Sequence, residues 1–173
     1  MKTESIVSNG NIAAERDQDS LLRAIKDHPF FHGMAAAHLG TISYGASEAI
    51  FEPGQLLLAE GKPANQFYLI RSGKIALEVH EPSSGTALVQ TLTAGDVLGW
   101  SWLFPPFAWH LRAQAIESSR VIVLNAAHLL VSAEHNPVFG YELMKRVAAI
   151  LIQRLQAAGK LLAQQQLAPP VEA

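Results

Sequence analysis

Cysteine is absent from the 173 residues, which removes thiolate catalysis, disulfide staples and cysteine-ligated zinc or iron–sulfur clusters from the functions open to the chain. An excess of basic charge is missing as well. Lys plus Arg number 13 against 15 Asp plus Glu, a formal net charge of −2 at pH 7, so there is no basic field of the kind that holds a nucleic-acid backbone by counterion release. Direct nucleic-acid binding by this chain is not expected. Nowhere do about 18 apolar residues run uninterrupted, the length a membrane span needs, and the polar opening MKTESIVSNGNIAAERDQDS lacks an apolar run suited to a signal peptide. A cytoplasmic protein without membrane contact is the expectation. The length suits one main domain rather than two independent cores.

What is present changes period along the chain. Residues 1–19 carry no periodicity and read as a disordered tail. A single domain is expected over 20–166, with helices in 20–45, a β-barrel in 46–125 and hinge and dimerisation helices in 126–166; residues 167–173 form a polar tail. Ser20 reads as the N-cap of the first helix, where Leu21, Leu22 and Ile25 share a face, and His28-Pro29 stops it. A short helical segment then aligns Phe30, Phe31, Met34, Leu39 and Ile42.

From Ala46 the period falls to about two. AIFEP, QLLLAE, QFYLIRSG, KIALEVH, TALVQTLTAG, DVLGW, HLRAQAIES and RVIVLN are each of strand length, separated by turn-forming pairs such as Pro53-Gly54, Gly61-Lys62, Ser72-Gly73 and Gly95-Asp96. Eight short strands so spaced predict a mainly β fold with flanking helices: an eight-stranded jelly roll (double-stranded β-helix) with an N-terminal helical pair and a long C-terminal helix.

Asn125 is a good helix cap, and Asn136-Pro137 opens a long helix to about Gln166, because proline costs nothing where its missing N–H has no partner. Along it Met144, Val147, Leu151, Ala158 and Leu161 alternate at three and four residues, with Arg154 at an intervening seam position. That stripe predicts a homodimer through the C-terminal helix.

Helix, short helix, barrel and two helices is the order of a cyclic nucleotide-binding domain. The stretch FEPGQLLLAEGKPANQFYLIRSGKIALEV, Phe51 to Val79, resembles the first half of that family, and LTAGDVLGW, Leu92 to Trp100, is similar to the phrase leading into its phosphate-binding cassette. The resemblance spans roughly Leu21 to Leu162. It implies kinship with bacterial catabolite-activator-type regulators and with regulatory subunits of cyclic-nucleotide-dependent kinases, whose domain senses a ligand without chemistry of its own. In those relatives the cassette offers backbone N–H groups to the phosphate, a glutamate to the ribose hydroxyl and an arginine to the cyclic phosphate.

Here the cassette is GWSWLFPPFAWH. Its glycine is Gly99, and Trp100 holds the glutamate's place. The family spacing, counted forward from Gly99 and back from Ala115, puts Trp109 at the arginine's place. The usual binding of cAMP or cGMP is therefore not expected, and the ligand class implied is a cyclic nucleotide in another mode or another small anionic or aromatic effector. Candidate ligand-binding residues are Gly99, Trp100, Ser101, Trp102, Trp109, His110 and Arg112. Three readings of the tryptophans stand: they line a pocket for a flat ligand, they fill a vacated pocket, or they form a patch for a protein partner. Strand alternation places His110 and Arg112 on the face opposite Trp109 and Leu111.

No resident metal or other cofactor is expected. His28, His32 and His38 lack a carboxylate or cysteine at ligand spacing and read as surface or helix-end histidines. Glu117, Ser118 and Ser119 have no nearby histidine, and no enzyme activity is expected. The whole predicts a stand-alone, dimeric sensor or protein-interaction module. Its alternative is the effector-binding half of a Crp/Fnr-type transcriptional regulator whose DNA-binding domain is missing or supplied by another chain. In either case ligand occupancy biases a hinge around Val121 to Glu134, and a partner reads the angle of the long helix.

Overall fold

The computed structural model describes residues 17–81 and 85–167, the side chains of 81 and 161–167 excepted. Helix α1 already occupies residues 17–27, so Ser20 lies within the helix instead of capping it. A 3-10 turn, Pro29–Phe31, and helix α2, Ala36–Ser43, follow. Phe30, Phe31, Met34, Leu39 and Ile42 are all buried, as their spacing predicts.

Eight strands then form: β1 (Ser47–Phe51), β2 (Leu56–Leu58), β3 (Gln66–Ser72), β4 (Ile75–Glu81), β5 (Gly85–Leu92), β6 (Val97–Leu98), β7 (Arg112–Ala115) and β8 (Ser119–Asn125). They pair antiparallel into two four-stranded sheets ordered β1-β8-β3-β6 and β2-β7-β4-β5, the strand order of a jelly roll. Each of the eight expected runs supplies one strand. Alternation holds along β7, where Ala113 and Ala115 are buried and Arg112 and Gln114 are not. It fails along β3, where Phe67 to Ile70 are all buried, because β3 lies inside its sheet and helices cover the outer face. Phe67 meets Phe30 at 5.3 Å between ring centroids. Tyr68 points the other way and donates to the carbonyl of Leu57, in the opposite sheet, at 3.2 Å; burial pushes its phenol up to about 12.

Both caps form. The side chain of Asn125 accepts from His128 N at 2.9 Å to open α3 (Ala126–His135), and that of Asn136 accepts from Phe139 N at 3.1 Å to open α4 (Pro137–Leu167). Because β8 sits between β1 and β3, Val121 to Asn125, the first part of the expected hinge, lie within a sheet.

Helix α4 corrects the predicted stripe. Phe139, Leu143 and Val147 are buried in the chain's own core, and Arg154 turns toward the barrel. Met144 and Leu151 face outward with Tyr141 and Leu155. Two heptad phases share Met144, Leu151 and Ala158: one runs through Val147 and Arg154, the other through Tyr141, Ala148 and Leu155. Packing on the barrel takes Val147 and Arg154 inward and leaves the shared Met144, Leu151 and Ala158 exposed with Tyr141 and Leu155. The Leu161 side chain lies outside the described residues. Arg146 fastens α4 to the 3-10 turn by donating to the carbonyls of Phe30 and His32 at 2.7 and 3.0 Å.

Candidate functional site

Gly99 follows β6 with φ +91°, a conformation that L side chains avoid, and a Cβ there would lie 2.9 Å from Gln66 O and 3.0 Å from the Trp109 ring. Only glycine fits this position. The Trp109 ring covers it and is held from the backbone: Trp109 N donates to Lys62 O at 2.9 Å, and Gly61 N donates to Trp109 O at 2.9 Å. Trp109 is 5% exposed and Trp102 3% exposed, both within the hydrophobic core. Trp102 sits in the single 3-10 turn Ser101–Leu103 and meets Phe67 edge-on at 6.3 Å. So short a turn aligns few backbone N–H groups, so the dipole that a longer helix would offer an anion is largely missing.

Trp100 is half-buried and packs against the core, beneath the guanidinium of Arg154 at 4.1 Å from its ring centroid. The remaining aromatic side chains point elsewhere. After a cis Pro105-Pro106 bond, Phe107 adopts φ +56°, and both Phe104 and Phe107 are exposed. Two tryptophans thus serve the core, the third is covered by α4, and the phenylalanines supply the exposed aromatic surface.

The space left beside the cassette is about 90 Å³, lined by Leu58, Leu77, Leu98, Gly99, Trp109 and Arg154 among others. Trp100, Ser101 and His110 also border it, His110 from an exposed position. Arg112 does not. It faces outward, with Nε 3.5 Å from Glu78 Oε2 and Nη2 donating to Gln114 Oε1 at 3.0 Å. The structure therefore brings together six of the seven candidate residues around the cassette, Trp102 from beneath it, and separates Arg112 from them.

The spacing of α4 places Arg154 at a dimer seam, yet it borders the cassette. Nη2 donates to Val97 O at 2.9 Å, and burial lowers its pKa to about 10 against the opposing charge of Asp96. A signal for this role exists in the sequence: Leu143, Val147, Ile150 and Arg154 recur at four, three and four residues, so the arginine continues the buried face.

His28 stands at a helix end, as expected, capping the 3-10 turn, and it is buried there: its Nδ1 accepts from Phe30 N at 3.3 Å and its Nε2 lies 3.3 Å from Ile70 O. Burial lowers its pKa. Among the described residues no group of three or more His, Cys, Asp or Glu could hold a metal ion. Glu117 pairs with Lys74, and Ser119 Oγ donates to Glu117 O at 2.8 Å, with no histidine among their partners. No helix among the described residues is long and apolar enough to cross a membrane.

Residues 48–136 match the family described as cyclic nucleotide-binding domain. A candidate cyclic nucleotide-binding protein from Geobacter metallireducens GS-15 is 28% identical, covering 77% of this chain and 96% of its own, with a TM-score of 0.69. A cyclic nucleotide-binding domain from Methylobacillus flagellatus is 16% identical over 91% of this chain and 89% of its own, with a TM-score of 0.72. The sensor domain of the transcriptional regulator DNR from Pseudomonas aeruginosa is 16% identical over 80% and 93%, with a TM-score of 0.66. No curated protein matches the chain by sequence. The matched span, just over half of the chain, together with the jelly-roll strand order, places the chain in the cyclic nucleotide-binding domain family of regulatory, ligand-sensing modules.

Proposed function

We propose that this chain is a cytosolic, non-enzymatic sensor that works as a homodimer, does not hold a cyclic nucleotide in the family's usual mode, and passes its state to a protein partner through α4. The observation that carries the reading is the cassette itself. About 90 Å³ remains beside Gly99, whereas small-molecule sites run from roughly 300 Å³ upward. Trp100 and Trp109 stand where a ribose acceptor and a phosphate-binding arginine are expected, and an indole supplies neither a hydrogen-bond acceptor nor a positive charge.

The exposed seam of Tyr141, Met144, Leu151 and Leu155, continued in heptad register by Ala148 and Ala158, supports dimerisation. The cassette touches α4 through Trp100 and Arg154, which gives a path from ligand site to helix.

Calorimetric titration with cAMP, cGMP and a cyclic dinucleotide tests the reading. No binding is expected for the wild type; micromolar or tighter binding of cAMP overturns it. The double variant Trp100→Glu with Trp109→Arg is expected to gain affinity for cAMP.

A further inference from the structure

A groove of about 550 Å³ lies on the other side of Arg154 from the cassette. It lies between α4 and the corner where β5 leads into β6. Its apolar lining includes Phe30, Val97 and Ile150, and its polar lining includes Gln90, Asp96, Arg146, Gln153 and Arg154. Arg154 borders both spaces. The volume that a ligand needs is therefore present in the fold, displaced by one helix face from its expected place.

Two arginines and one carboxylate, Asp96, line this groove. The two arginines differ in how far their donors are satisfied. Arg146 is occupied by the carbonyls of Phe30 and His32 and by Glu142, 3.5 Å away. Asp96 accepts from Thr93 N at 2.8 Å. Arg154 has one hydrogen bond, to Val97 O, while its Nη1 is shut off from solvent without a partner among the described residues. A buried, charged donor left unpaired is costly, and an oxyanion is the partner that relieves it best.

We propose that the groove between α4 and the β5–β6 corner is a ligand site for an organic carboxylate with an apolar body, its charge paired with Arg154 and its body lying over Phe30, Val97 and Ile150. Pairing with the carboxylate draws the guanidinium off the Trp100 ring, so occupancy of the groove is felt at the cassette and in the seating of α4. The inference rests on reading the chain as a ligand sensor, and it names the effector class and its site.

Octanoate is the probe, with 1-octanol as the uncharged control and cAMP titrated alongside. Heat and the indole N–H resonance of Trp100 are the readouts. Saturable octanoate binding below millimolar concentration, a shift of the Trp100 resonance, and no response to octanol are expected. Arg154→Met, which keeps an apolar stem, is expected to weaken octanoate binding about tenfold or more, the loss of one charge-assisted hydrogen bond. Ala149→Trp fills the groove from an exposed position and is expected to abolish binding with the fold intact. Absence of octanoate binding in the wild type, equal binding of octanol, or insensitivity to Ala149→Trp overturns the site. Micromolar cAMP binding overturns the cassette reading instead and leaves the octanoate result to stand or fall separately.

Discussion

The guanidinium of Arg154 lies over the Trp100 ring, 4.1 Å from its centroid, while the same side chain bonds the carbonyl of Val97. One residue of the long helix therefore joins strand β6, just before the cassette, to the first residue after its glycine. Arg154→Gln keeps a donor and loses the cation over the ring. It is expected to cost about 0.5–2 kcal/mol in urea unfolding and to move one of the three tryptophan indole N–H resonances. An unchanged set of resonances would show that the stacking is not populated in solution.

Gly99→Ala combines a left-handed backbone with a Cβ 2.9 Å from a carbonyl oxygen and 3.0 Å from the Trp109 ring. Neither neighbour yields easily, because one is backbone and the other is packed in the core. A loss of about 2–4 kcal/mol is expected, read as a lowered denaturant midpoint. A cost below about 0.5 kcal/mol, the size of an ordinary surface substitution, would contradict the described packing.

The two faces of α4 separate stability from association. Val147→Ala removes buried methyl groups and is expected to lower stability by roughly 1–3 kcal/mol without changing the oligomeric mass. Leu151→Asp places a charge on the exposed seam and is expected to halve the mass in sedimentation while the monomer stays folded. A wild-type monomer at tens of micromolar would remove the dimer from the reading.

His28 gives a pH dependence of known sign. Its desolvation lowers the folded-state pKa below the usual 6.5, so the unfolded chain binds the proton more readily. Stability is full above about 6.5 and falls as the pH drops from there toward the folded value. The backbone bond at Ile70 and the charge of Asp96 oppose the burial effect and limit the loss. Thermal unfolding at pH 7.5 and 5.5, compared with His28→Asn, is expected to show a steeper acid loss in the wild type. Parallel slopes would assign the acid loss to other groups.

Much local chemistry, acting over a few residues, is legible in the sequence, although Ser20 lies inside α1 and not at its cap. Asn125 and Asn136 cap helices because a side-chain oxygen reaches an N–H three residues on, and Ser72-Gly73 turns because only glycine tolerates φ +90° beside Ser119. The eight strands and the family likeness come from the same short-range code. So does the departure at Trp100 and Trp109, since which residue stands at an anchor is a matter of counting.

Only the tertiary structure decided which face of each element is covered. The alternating code of β3 is overridden by helices packed on its outer side. His28 is buried because the 3-10 turn carries it against Ile70, and Arg112 is turned onto Glu78 by the register of β7 with β4. Helix α4 carries two heptad phases that share three residues, and spacing alone weighs them equally. Contact with the barrel breaks the tie, placing Val147 in the core and Arg154 against Trp100, because burial free energy depends on what lies opposite a side chain and not on its period.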